Sequence, residues 1–239
     1  QLGGGGKPRE YTLVMRRLPE TRMLPALLDS GQLTDEMMQS VAEVLGDFHS
    51  HAEPLEGVEI SHHLANVERE WNNNLADLNP LVGRFMDAEG LKRLEFFGAG
   101  FLTQNTELFR RRAAQSRIRD VHGDLHCEHV CFAPEGVQIY DCIEFDAKLR
   151  RCDLASEVAF LLMDLKVRGG SIFRAPFLKR YFELVNDSEM SDLLPFYECY
   201  RALVRGKVEA LRPQTAETRA PRYFRYASEI SCRPLDHLL

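Results

Sequence analysis

One turn constrains this chain more than any other feature. Ala133-Pro134-Glu135-Gly136 separates two short apolar runs, residues 130–132 and 137–140. Pro and Gly in that order mark a tight turn, so the two runs are predicted to fold back as a small β-hairpin. A hairpin brings its ends together. Asp124 stands just before it and Asp141 just after it, so two carboxylates 17 positions apart in sequence are carried to one place.

Around this hairpin the pattern is helical. Residues 34–52 open with Thr34 as N-cap and acidic residues in the first turn, and Met37, Val41, Val44, Leu45 and Phe48 then recur at helical spacing. Further helices are predicted near 61–78, 90–116, 153–167, 171–186, 191–211 and 215–231. Residues 10–18 form a β-prone run beside the glycines at 3–6, followed by a linker carrying Pro19. The expected class is α+β, predominantly α, with a central β-hairpin. At 239 residues and 44% hydrophobic content the chain can bury the core of one large domain or two small ones.

Several function classes are disfavoured. A formal net charge of -6 gives no global basic signature for nucleic acid, and Arg110-Arg111-Arg112 reads as the solvated end of a helix. No apolar run approaches the roughly 20 residues of a membrane span, and no signal peptide is visible. Six scattered cysteines without a CxxC pair are expected to be reduced thiols in a cytoplasmic protein. The first residue is Gln, and the opening stretch reads like the middle of a longer protein.

Two carboxylates held at one end of a hairpin can divide the work of phosphoryl transfer. One orients and deprotonates the attacking hydroxyl, and the other holds Mg²⁺ against the nucleotide phosphates. The spacing also has a specific form. His122-Gly123-Asp124, four residues, then His129 matches H-x-D-x-x-x-x-N with the last residue changed.

The segments HGDLHCEHV, IYDCIEFD and LRRCDLASEVAFLLMDL together resemble the aminoglycoside phosphotransferase family, within the protein-kinase-like fold. The resemblance is closer to a bacterial branch often fused to a P-loop ATPase domain. It implies ATP and Mg²⁺ as cofactors, a small-molecule hydroxyl acceptor, and a fused or associated P-loop ATPase domain as partner. By the same resemblance, residues 1–18 are a remnant of the N-terminal lobe and the hinge, and 19–239 are the helical C-terminal lobe with its catalytic loop at 121–146. Most of the N-terminal lobe, with its Gly-rich loop and strand Lys, has no counterpart before Glu10. Asp124 matches the catalytic Asp, His122 the residue that braces its loop, and Asp141 the metal-binding Asp. Asp153 precedes an apolar helix and reads as its N-cap, and it also matches an Asp that pins the loop from below. The backbone at Met15, Arg16 and Arg17 matches the segment that holds adenine.

Position 129 departs from the family, which has Asn there. Mg²⁺ prefers oxygen ligands. Three outcomes stay open: His129 leaves one metal position weak, a carboxylate such as Glu128 or Glu144 compensates, or the domain binds nucleotide without catalysis and regulates a partner. Glu144 is also placed to pair with Arg150 or Arg151. A structural zinc drawn from His122, His126, Cys127, His129 and Cys131 is disfavoured by the spacing, and buried thiols packed as small hydrophobes are expected instead. His49, His51, His62 and His63 read as charges at helix ends, and Trp71 as a half-buried packing residue.

Overall fold

The computed structural model describes residues 16–233. In chain order they form α1 (Leu24–Asp29), α2 (Asp35–His51), α3 (Gly57–Ser61), α4 (His63–Ala76), α5 (Ala88–Gln104), α6 (Thr106–Ala114), β1 (Ile118–Asp120), β2 (Val130–Ala133), β3 (Gly136–Ile139), α7 (Ala147–Arg150), β4 (Arg151–Asp153), α8 (Leu154–Val167), α9 (Arg174–Val185), α10 (Met190–Ala210) and α11 (Ala220–Ser231). The class is α+β and predominantly α, as expected. No helix among the described residues is long and apolar enough to cross a membrane. The glycine run at 3–6 and most of the β-prone run at 10–18 lie outside the described residues.

The hairpin forms where its turn predicts. β2 and β3 pair antiparallel, Val130 with Ile139 through Ala133 with Gly136, and Pro134-Glu135 makes the two-residue loop. A second small antiparallel sheet joins β1 to β4, Ile118 opposite Asp153 and Asp120 opposite Arg151. Between them these sheets fix both ends of the segment that carries Asp124. The chain before α1 runs beside the hairpin, with Met23 bridged to Cys131 and the Arg22 Nε–H donating to the Phe132 carbonyl at 2.9 Å.

Helix α8 is the centre of the molecule. Every residue from Leu154 to Leu165 is buried, so this helix has no solvent face. A helix buried all round must satisfy each polar group it carries from its neighbours. It packs mainly against α10, which in turn carries α11, while α2 packs on α9.

Local signals set most of the helix boundaries. The Thr34 hydroxyl accepts the Met37 N–H at 3.3 Å and caps α2 as expected. The buried stripe of α2 is nevertheless rotated from the expected one. Met38, Val41, Ala42 and Leu45 face the core, whereas Val44 and Phe48 are exposed. Gly46 allows the close approach of Leu184 and Val185 on α9. The predicted helix at 90–116 is two helices broken at Asn105, whose side chain donates to the Phe101 carbonyl at 3.0 Å. Trp71 is fully buried rather than half-buried. It stacks on Phe196 with centroids 5.1 Å apart and fills the space left by Gly98.

Candidate active site

The residues on the two shoulders of the hairpin meet in one cavity of about 170 Å³, which Asp124, His126, His129 and Asp141 line together. His122 ties the shoulders to each other. Its Nε2–H donates to the Tyr140 carbonyl at 2.7 Å, its Nδ1 accepts the Asp124 N–H at 3.3 Å, and its own carbonyl accepts the Ile143 N–H at 3.1 Å.

The loop is held from beneath by carboxylates of α8. Glu157 Oε2 accepts the Gly123 N–H at 2.7 Å, and its Oε1 accepts the His122 N–H at 3.3 Å. Two helical turns on, Asp164 Oδ2 accepts the Cys127 N–H at 2.9 Å. From α10, the Arg201 Nη1–H donates to the Gly123 carbonyl at 3.1 Å. Gly123 is pinned at both its N–H and its C=O. Its φ is +82°, and an added Cβ would lie 2.8 Å from the Arg150 Cα, so only glycine fits there.

Asp153 is the N-cap of α8, as its place before an apolar helix predicts. Its carboxylate caps α8 by accepting the Ala155 N–H at 2.8 Å, and takes the Arg112 Nε–H and Nη2–H at 2.8 and 2.7 Å. Arg112 also reaches Asp187 at 2.7 Å. The basic run at 110–112 is therefore only partly solvated, because Arg112 is fully buried between two carboxylates. His49 and His63 are buried as well, not surface charges. The His49 ring lies between the Tyr181 hydroxyl at 2.7 Å and Glu157 Oε1 at 3.0 Å. Burial lowers the pKa of His63.

Asp124 is partly exposed, with Oδ2 3.6 Å from His126 Nε2 and 3.9 Å from His129 Nδ1. Burial works to raise its pKa, but His126, His129 and Arg201 outweigh it and hold the carboxyl below the usual aspartate value. At neutral pH it is an ionised acceptor, as a group that orients a hydroxyl must be. Burial, reinforced by His126, holds the His129 pKa below the ordinary histidine value. Its Nδ1 lies 2.8 Å from the Asp124 carbonyl and its Nε2 lies 3.4 Å from Asp141 Oδ2. Asp141 follows β3 with φ at +65°, a left-handed conformation that Asp tolerates better than most residues. Such conformations cluster at functional sites.

The other candidates make other contacts. Glu128 lines the same cavity, but its carboxylate is gripped by Arg168, Arg205 and Arg219 at 2.7, 2.5 and 2.8 Å. Burial works to raise its pKa, but Arg205 and Arg168 hold it well below the glutamate value, so it does not compensate for position 129. Glu144 is exposed, does not line the cavity, and its charge is felt by Arg150. Arg16 is exposed and pairs with Glu135 in the hairpin turn at 3.8 Å, Arg17 pairs with Glu20, and Met15 lies outside the described residues. Cys127 and Cys131 are buried, and burial pushes both thiols up, well up for Cys127, so neither offers a ready thiolate to zinc.

Glu157, Asp164 and Arg201 were not foreseen as parts of the site. A signal for the first two exists in the sequence: two acidic residues seven apart in the otherwise apolar run of α8 must be buried and paired. The Mg²⁺ that the resemblance implies fits the Asp141 carboxylate but not the His129 imidazole, because Mg²⁺ takes oxygen ligands. The donor set as a whole does not suit Mg²⁺.

Residues 2–197 match the model of the phosphotransferase enzyme family. Uncharacterized proteins of Mycobacterium tuberculosis and Mycobacterium bovis are 30% identical over 210 residues, which is 88% of this chain and 42% of theirs. The chain thus spans about two fifths of the length of these relatives. An ethanolamine kinase of Plasmodium vivax superposes with a TM-score of 0.52 at 13% identity, over 86% of this chain and 62% of that one, and so shares the fold. The chain belongs to the phosphotransferase enzyme family and has its protein-kinase-like fold.

Proposed function

We propose that this chain transfers the γ-phosphoryl of ATP to a hydroxyl of a small molecule. The observation that carries the reading is the position of Asp124. It is an ionised, partly exposed carboxylate at the mouth of a cavity, on a loop whose backbone is fixed from both sides by Glu157 and Arg201. Fixed placement of a base against its hydroxyl is the main protein contribution to phosphoryl transfer. Asp124 orients the acceptor hydroxyl and takes its proton. Asp141, on the opposite shoulder, is the carboxylate assigned to the nucleotide's divalent ion. The adenine is assigned to the backbone at residues 15–17, of which Arg16 pairs with Glu135 in the hairpin turn.

The cavity also says something about the acceptor. Phe160, Val204 and Val208 give it an apolar side, and Glu128, Arg205 and Arg212 a charged one. The acidic net charge favours a cationic or neutral acceptor, but the arginines at the cavity make a polar compound with several hydrogen-bonding groups the better fit. The amino alcohol named for the Plasmodium kinase belongs in the panel to be tested. A rival reading, a kinase-like domain that binds nucleotide without turnover, rests on His129.

The test is ATP consumption by the full-length protein across a panel of sugars, amino sugars and amino alcohols, run with several divalent ions. Asp124→Asn and Asp141→Asn are each expected to lower turnover by about 10²-fold or more. Turnover in both variants equal to the parent would show that these carboxylates have other work. Nucleotide binding without turnover on any acceptor would favour the rival.

A further inference from the structure

One contact in the cavity is unexplained by a Mg²⁺ nucleotide. His129 Nδ1 lies 2.8 Å from the Asp124 backbone carbonyl. A carbonyl oxygen can only accept, so Nδ1 carries the hydrogen and Nε2 presents its lone pair. That lone pair faces Asp141 Oδ2 at 3.4 Å, which is also an acceptor. Two acceptors facing each other are reconciled by a cation between them, either a proton on Nε2 or a metal ion bound by both.

The ring is not free to turn away. It lies against His126, with centroids 3.9 Å apart, and beside Tyr140 at 5.9 Å. His126 is not a rival ligand. Its Nδ1 accepts the Glu128 N–H at 3.3 Å, which leaves Nε2 as the protonated atom facing Asp124 Oδ2. His126 therefore serves Asp124, and His129 is the one imidazole with a free lone pair in the cavity among the described residues. Two ligands bonded to one ion at about 2.1 Å and separated by this distance subtend about 110° at it, within the range that first-row ions accept.

We propose that His129 Nε2 and Asp141 Oδ2 jointly bind a first-row divalent ion that accepts imidazole, of the Mn²⁺ type, in preference to Mg²⁺. Imidazole nitrogen is a good ligand for such ions and a poor one for Mg²⁺, whereas carboxylate and phosphate oxygens serve both. The exchange of an amide oxygen for a ring nitrogen at position 129 thus sets which ion the site takes. The ligand pair itself does not depend on the proposed phosphoryl transfer. Only the assignment of the ion to a nucleotide rests on that reading.

The test is Mn²⁺ binding to the full-length protein, followed by electron paramagnetic resonance, with and without a non-hydrolysable ATP analogue. Bound Mn²⁺ should show pulsed-resonance modulation from a directly coordinated ¹⁴N and should resist a tenfold excess of Mg²⁺. His129→Asn should abolish the nitrogen modulation and cut the Mn²⁺ over Mg²⁺ preference at least tenfold, with the thermal melt showing that the variant is folded. Asp141→Asn should weaken Mn²⁺ binding at least tenfold, and its side chain is exposed, so loss of folding is no explanation there. Absence of nitrogen modulation in both arms, its persistence in His129→Asn, or displacement of Mn²⁺ by equimolar Mg²⁺ would each overturn the proposal. The readout needs no turnover. A protein that holds Mn²⁺ through nitrogen but phosphorylates nothing keeps this inference and loses the function proposed above, and the reverse result does the opposite.

Discussion

Glu157 Oε2 accepts the Gly123 N–H at 2.7 Å from a side chain with no exposed surface. One residue of α8 thereby sets the height of the loop that presents Asp124. The same carboxylate takes the His122 N–H and faces the His49 ring, so it joins the loop and α2 to α8. Removing it leaves two backbone donors and an imidazole without their acceptor in a dry interior. Glu157→Ala should therefore cost about 3 kcal/mol of stability, read as a lower urea midpoint at unchanged slope. It should also lower turnover although it touches no substrate.

The acid limb of stability follows from the same helix. Burial pushes Glu157 and Asp164 up, but the His49 ring and the Gly123 N–H on the first, and Arg168, His126 and the Tyr223 hydroxyl on the second, leave both below their ordinary values of 4.5 and 3.8. A carboxyl depressed in the folded state stabilises it above the unfolded value, and that contribution is lost as pH falls through the folded one. Urea midpoints should hold above pH 5 and fall steadily below about pH 4.5. Glu157→Gln should make that limb shallower, because it removes one of the groups that take up a proton on unfolding.

Gly123→Ala tests the close approach of the loop to α7. The new methyl meets Arg150 backbone at 2.8 Å, at a φ of +82° that L side chains avoid. Neither problem can be relieved by a side-chain rotation. The substitution should cost about 2 kcal/mol and displace Asp124, so that kcat falls more than stability alone explains. Melting temperature and single-turnover rate, measured together, separate the two effects.

The thiols should react in a fixed order. Cys142 and Cys232 are exposed, Cys127, Cys131 and Cys199 are buried, and burial pushes Cys152 to about 12. Alkylation of the folded protein near neutral pH should label Cys142 and Cys232 first, as followed by mass spectrometry of peptides. The buried thiols should appear only in denaturant.

The parts of this structure that were legible in the sequence are those written locally. The Pro-Glu turn gave the hairpin, and the hairpin gave the meeting of Asp124 and Asp141 in one cavity. Thr34 marked the start of α2. What escaped depends on partners far along the chain. β1 and β4 are three residues each and find one another across more than 30 positions, so neither has a signal of its own. Short α1 has a proline in its first turn and carries too few residues for a period to show. The burial of His49 follows from a carboxylate 108 positions away, and that of Arg112 from two others. Asn105 breaks a helix without the Pro or Gly that usually announces a break. Asp153 was legible as the N-cap of α8, but its pairing with Arg112 was not, because that partner lies 41 positions away.

Glu157 and Asp164 reach the loop from the same side of α8 because they are seven residues, close to two full turns, apart. Inserting or deleting one residue between them would swing one carboxylate by about 100° around the helix axis and release one end of the loop. Side chains elsewhere on α8 can be exchanged for others of like volume, but the count of residues between these two cannot change. In descendants of this chain, length variation should therefore gather in the surface connections and stop abruptly at this helix.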